Sequence, residues 1–144
     1  MPGPSNPPFK LQALDHVVVR ADDYAGMVAF YRDVIGCTLE REVTDFSLTQ
    51  LRAGDSLIDI VDAAGPLGKK GGASPDHDAP NMDHFCVQVL PWDAETILEH
   101  LRAHGATASS PERRYGALGY GPSIYVQDPE GNTLELKGPP SKDG

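Results

Sequence analysis

Hydrophobic and polar positions along this chain follow two rhythms, and each rhythm occurs twice. Leu14-Asp15-His16-Val17-Val18-Val19 is a short strand-like run, and Met82-Asp83-His84-Phe85-Cys86-Val87 repeats it 68 residues later. Side chains alternate between the faces of a strand, so Leu14, His16 and Val18 share one side and Met82, His84 and Cys86 share the matching one. A helical pattern follows each run. In the first, Tyr24, Met27, Val28, Tyr31, Val34 and Ile35 keep helical spacing until Gly36; in the second, Ala94, Ile97, Leu98 and Leu101 keep it until Gly105. Strand-like stretches come next, at about 37–43, 46–52 and 56–61 and again at about 106–110, 122–127 and 132–137. Gly54-Asp55 supplies a tight hairpin turn, and Asp128-Pro129-Glu130-Gly131 fits a type I turn.

The expected fold class is therefore α+β: two strand–helix–three-strand modules (βαβββ) in tandem within one domain, residues 11–138. Module 1 covers about 12–62 and module 2 about 81–138. Residues 63–80, rich in Gly, Pro, Lys and Asp, form a linker, and 1–10 and 139–144 form tails. A module of this size alone is a marginal domain, so the two must pack together or exchange partners in a homodimer.

Composition narrows the partners. Apolar residues make up 40% and charged residues 23% of the 144, which is ordinary globular usage. Twelve basic against twenty-one acidic residues give a formal net charge of −9, which opposes binding to nucleic acid or anionic membranes. The first residues lack a basic stretch followed by an apolar one, and no segment approaches the roughly 18 apolar residues of a membrane helix. A soluble, cytoplasmic protein is expected. Cys37 and Cys86 are too few for a disulfide scaffold and read as small buried hydrophobes in a reducing compartment.

The carboxylates and histidines matter where the repeat places them. On the last strand Thr133, Glu135 and Lys137 share a face while Leu134 and Leu136 point to the core; earlier, Leu57, Asp59 and Val61 oppose Ile58 and Ile60. A pseudo-two-fold axis between modules would bring His16, His84, Asp59 and Glu135 toward one point. Such an N/O donor set suits a divalent Ni, Co, Zn, Fe or Mn ion. Against this, a single strand histidine is more often a core residue bonded to a carbonyl. Aligning Asp59 with Glu135 also needs a one-residue adjustment in the turn.

At these residues the chain resembles the vicinal oxygen chelate superfamily, the group of glyoxalase I, fosfomycin- and bleomycin-resistance proteins and extradiol dioxygenases. The resemblance runs from Leu14 to Gly138. Its most specific parts are Leu14-Asp15-His16, Phe30-Tyr31-Arg32-Asp33-Val34-Ile35-Gly36, and the run from Ile124 through Asp128-Pro129-Glu130-Gly131 to Glu135 and Leu136. It implies mixed sheets curled around a central cup, helices outside, with one divalent metal held by His16, His84 and Glu135. A fourth ligand would fall on Asp59, one methylene shorter than the glutamate found in glyoxalase I.

The implied activity is that of a metal-dependent, glyoxalase-like isomerase or lyase acting on a small oxygen-rich substrate, with Glu135 as proton shuttle. One alternative is an Fe(II) extradiol dioxygenase. Tyr125 resembles a substrate-contacting tyrosine of those enzymes, but no histidine lies between His104 and Tyr125 to act as their second acid–base group. Fosfomycin-type thiol transfer would need threonine where this chain has Val18. A third alternative is a metal-free protein that sequesters a drug or metabolite, as bleomycin-resistance proteins do; the His/His/Glu set argues against it.

Softer features remain. Gly68-Lys69-Lys70-Gly71-Gly72 lacks phosphate-loop spacing and reads as flexible linker. The stretch from Arg113 to Gly121, with two arginines and two tyrosines, is a candidate to hold an anionic or aromatic substrate edge, though most such stretches are plain exposed loops. His77, His100 and His104 read as solvated, and Trp92 as packing the opening turn of the second helix.

Overall fold

The structure is a computed structural model describing residues 7–8, 10–76 and 78–142. Module 1 contains β1 (His16–Ala21), α1 (Tyr24–Ala29) running into a π-helical segment (Phe30–Val34), β2 (Thr38–Val43), β3 (Leu48–Ala53) and β4 (Ser56–Asp62). Module 2 contains β5 (Phe85–Gln88), α2 (Ala94–Ala103), β6 (Glu112–Gly116), β7 (Gly119–Gln127) and β8 (Thr133–Lys137). Each module builds one mixed four-stranded sheet, ordered β1-β4-β3-β2 in the first and β5-β8-β7-β6 in the second. In both, the opening strand pairs in parallel with the closing strand while the others are antiparallel. This is the tandem duplication expected from the pattern, with sheets that do not close on each other.

The caps explain the helices. Asp23 accepts a bond from Gly26 N at 3.1 Å, and Asp93 accepts one from Thr96 N at 3.1 Å. The π-helical segment is marked by the bond from Ile35 N to the Phe30 carbonyl, and Gly36 then turns the chain out with φ +97°. Gly105, at φ +73°, does the same after α2.

One core serves both modules. Val19, Met27, Tyr31, Leu51, Ile58 and Ile60 join Leu101, Ile124, Val126, Leu134 and Leu136 in a single buried cluster. Polar braces cross the same boundary. The buried Tyr31 hydroxyl donates to Asp128 at 2.9 Å, and Asp128 also accepts bonds from the backbone of Glu130 and Asn132. Glu130 receives the backbone N–H groups of Asp22 and Asp23, each at 2.8 Å, so a carboxylate of module 2 steadies the approach to a helix of module 1. Asn81 bridges the backbone of Arg20 to the side chain of Asn132.

The structure corrects three expectations and adds a bond to a fourth. Residues 106–110 form no strand: they contribute one bridge, Ala108 to Val126, and the strand lies at Glu112–Gly116. Cys86 is exposed, because strand parity puts it with His84 rather than with the core residues Phe85 and Val87; Cys37 is buried as expected. Partial desolvation first, and then the Glu135 carboxylate, push the Cys86 thiol up to about 11. The stretch around 68–72 is a short 3-10 turn (Gly68–Gly71) fastened by the Arg20 guanidinium, which donates to the carbonyls of Gly68, Gly72 and Ala73. His100 and His104 are exposed, yet His100 Nε2 lies 2.7 Å from the Val34 carbonyl oxygen and so ties α2 to the end of the π-helical segment. His77 lies outside the described residues. Trp92 packs against Gly138, where a Cβ would stand 2.6 Å from the indole. Among the described residues no helix is long and apolar enough to cross a membrane.

Candidate metal centre

Strand register settles which carboxylates correspond. In the first sheet β1 sets Val18 opposite Asp59; in the second β5 sets Cys86 opposite Glu135. Val18 and Cys86 are repeat equivalents, so Asp59 and Glu135 occupy the same station. The extra residue is absorbed outside the paired strands.

Each module then builds a pair. His16 Nε2 lies 4.0 Å from an Asp59 oxygen, and His84 Nε2 lies 3.3 Å from a Glu135 oxygen. The other ring nitrogen of each histidine is held by the residue before it, His16 Nδ1 by Asp15 at 2.7 Å and His84 Nδ1 by Asp83 at 2.6 Å. An aspartate on Nδ1 fixes ring orientation and leaves Nε2 as the basic nitrogen facing the open side of the sheet, the usual carboxylate–histidine support of a metal ligand. The repeated Asp-His dipeptide thus has a mechanical reason. The bond to Asp15 is also the main cause raising the His16 pKa, helped by the charge of Asp59 and opposed by partial desolvation.

Burial separates ligand types. The carboxylates are sunk in the sheets, Asp59 at 3% and Glu135 at 6% exposure, while the histidine side chains stand at 44% and 34%. Gln50 Nε2 donates to Asp59 Oδ2 at 3.1 Å, but Asp59 Oδ1 is buried without a hydrogen-bond partner. An orphaned buried carboxylate oxygen is costly unless something cationic or protic meets it. That atom, together with two basic imidazole nitrogens and a second buried carboxylate, makes a donor set that fits a borderline divalent metal.

One chain does not bring the four together. Among its described residues no three His, Cys, Asp or Glu side chains converge closely enough to hold a metal ion. The modules meet through the helix side of their sheets, leaving His16/Asp59 and His84/Glu135 on separate open faces. Tyr125 belongs to the second face: it stands opposite Glu135 across β7 and β8 and meets the His84 ring edge-on, centroids 5.5 Å apart. Sequence reasoning did not single out Gln50. Its station opposite Asp59 follows from strand pairing, which apolar patterning does not encode.

Comparison with known proteins identifies the family and the fold. A family model described as the Glyoxalase/Bleomycin resistance protein/Dioxygenase superfamily matches residues 13–136. The mitochondrial methylmalonyl-CoA epimerase of Mus musculus is 27% identical over 139 residues, covering 92% of this chain and 76% of that protein. Two solved structures share the fold. A virulence protein from Salmonella typhimurium superposes with a TM-score of 0.76 at 20% identity, covering 92% of this chain and 100% of the other. The lactoylglutathione lyase from Agrobacterium tumefaciens superposes with a TM-score of 0.63 at 22% identity, covering 89% and 94%.

Proposed function

The chain belongs to the glyoxalase/bleomycin resistance protein/dioxygenase superfamily, and from that premise we propose a metal-dependent, glyoxalase-like isomerase or lyase for a small oxygen-rich metabolite. The observation that carries this reading is the duplicated triad of aspartate, histidine and sunken carboxylate, with Asp59 Oδ1 left without a partner. His16, Asp59, His84 and Glu135 would hold a divalent ion such as Ni, Co, Zn, Fe or Mn. When bound, that ion supplies Lewis-acid stabilisation of charge developing on adjacent substrate oxygens.

The remaining chemistry belongs to the chain. Glu135 holds the proton that moves between neighbouring substrate carbons, taking it on a carboxylate oxygen and returning it to the adjacent carbon. Tyr125 walls the substrate beside that oxygen. Asp15 and Asp83 keep the two imidazoles aimed.

Because the two pairs stand on separate faces of one chain, the reading takes a homodimer in which His16 and Asp59 of one protomer meet His84 and Glu135 of its partner. Leu14 and Val18, exposed at 83% and 45% beside His16, give that face the apolar surface such a meeting buries.

Metal analysis of untagged protein tests the first part: one Ni, Co or Zn per chain is expected. Stoichiometric Fe would turn the reading to the dioxygenase, and metal-free protein that still binds metabolites would turn it to sequestration. Complementation tests the second part. His16→Ala and His84→Ala proteins should each bind no metal, while hetero-dimers formed by refolding the two together should regain one site in every pair. No recovery would place each site within a single chain. Glu135→Gln should bind metal yet lose isomerisation; unchanged turnover removes its role.

A further inference from the structure

The open face of the second sheet carries more than metal ligands require. The Arg114 guanidinium on β6 lies over the Tyr125 ring, its central carbon 4.3 Å from the ring centroid. The same ring meets the His84 ring edge-on, centroids 5.5 Å apart. With His84 entering β5, Tyr125 on β7 and Arg114 on the edge strand β6, ligand, aromatic ring and cation follow the strand order as a row across the sheet. Arg114 donates from Nη1 to Ser123 Oγ at 2.8 Å and from Nη2 to Glu112 at 3.1 Å. A guanidinium has five N–H donors, so Nε–H and a further Nη2–H stay available.

Lys137 on β8 places a second cation beside the first. It is 5% exposed, and its ammonium donates to the main-chain carbonyls of Arg114 at 2.5 Å and Gly121 at 3.2 Å rather than to a carboxylate. Its stem passes under Gly116, where a Cβ would stand 2.5 Å from Lys137 Cε, so any larger residue there would push the lysine off its present path. Among the described residues the carboxylate paired with either cation is Glu112, which is largely solvated. In a chain of net charge −9 this is an unusual concentration of positive charge.

The duplication does not account for it. One step from Gln50 and Asp59, module 1 pairs Leu48 with Val61; one step from Tyr125 and Glu135, module 2 pairs Ser123 with Lys137. The same two stations are apolar in one sheet and hold a hydroxyl and an ammonium in the other. Packing alone is satisfied by Leu and Val, so the polar version answers a different demand.

We infer that Arg114, reinforced by Lys137, receives an oxyanion of the substrate, a carboxylate or phosphate, while the substrate's adjacent oxygens occupy the metal end of the row. The substrate is then an anion with chelating oxygens at one end, a body that lies over Tyr125, and a charged group at the other. A planar guanidinium held by ring stacking and by Ser123 matches the two-oxygen edge of such a group. This inference rests on the metal reading above.

The test uses Co(II)-loaded dimer and two probes with the same chelating ring, neutral 4-ethylcatechol and anionic 3-(3,4-dihydroxyphenyl)propanoate, with binding followed by calorimetry. The wild type should prefer the carboxylate probe by about tenfold, the size of one charge-assisted hydrogen bond to a partly exposed group. Arg114→Gln should abolish the preference between the two probes, and Arg114→Lys, which keeps the charge, should retain part of it. Equal binding of both probes, binding of neither, or a preference that survives Arg114→Gln would overturn the inference. Cobalt content, measured first, separates the two failures. Absence of Co(II) uptake overturns the metal reading and this inference with it, whereas normal uptake with indifferent probes overturns this one alone.

Discussion

The two modules share a frame and differ in what they hang on it. Module 1 offers a bare pair: His16 beside Asp59, with Gln50 holding one carboxylate oxygen and nothing holding the other. Module 2 surrounds His84 and Glu135 with Tyr125, Arg114, Ser123 and Lys137. Strand register makes the stations equivalent, so the contrast lies in side chains alone. It teaches that a duplicated scaffold can keep equivalent stations while one copy alone gains aromatic and cationic neighbours. On the proposed function, the first module would supply coordination and the second both coordination and recognition.

The largest expected effect tests the shared part. His16→Ala and His84→Ala should each lower metal affinity at least about a hundredfold, since loss of a ligand exceeds the 10–100-fold typical of a supporting residue. Equilibrium dialysis measures this, and a mild effect in either module would break the symmetry of the ligand set. Next in size is the joint between modules. Asp128→Ala should destabilise the protein by about 3 kcal/mol in urea titration, because it strips the buried Tyr31 hydroxyl of its acceptor and unpins the turn before β8. A loss near zero would mean that the Tyr31–Asp128 bond contributes nothing to holding the modules together.

A smaller change sharpens the asymmetry. Asp59→Asn should stabilise metal-free protein by about 1 kcal/mol, removing a buried charge with an unpaired oxygen, and at the same time weaken metal binding. Thermal melts with and without metal check both signs; destabilisation of the metal-free protein would show that Asp59 is there for the fold. The smallest effect concerns pH. With its folded-state pKa raised, His16 adds stability that is present below its unfolded value and lost as pH rises through the folded one. Asp15→Asn removes the chief cause, so the His16 midpoint should fall in an NMR titration of metal-free protein and the acid-side stability should shrink. An unmoved midpoint would deny Asp15 its orienting role.

Much of this architecture was legible in the chain because its signal is repetitive. Two Asp-His runs, two helix periods and two terminating glycines, Gly36 and Gly105, are local features that apolar burial enforces. What escaped was set by partners distant in sequence. Strand β6 shows no apolar alternation, because it carries Glu112, Arg113 and Arg114 at the edge of its sheet, whereas the blander residues 106–110 have the look of a strand. Cys86 reads as a buried hydrophobe beside Phe85 and Val87, although strand parity already sets it on the face of His84, and the structure leaves that face open. The equivalence of Asp59 and Glu135 needed pairing across the sheet, and the grip of Arg20 on the linker needed three carbonyls about fifty residues away.

The clamp of Glu130 on the backbone of Asp22 and Asp23 has an evolutionary consequence. A freestanding ancestral module could not have used it, since donor and acceptor now lie in different halves. With that clamp in place, a change in the turn before β8 is felt at the start of α1, so neither half can vary at this joint without the other registering it.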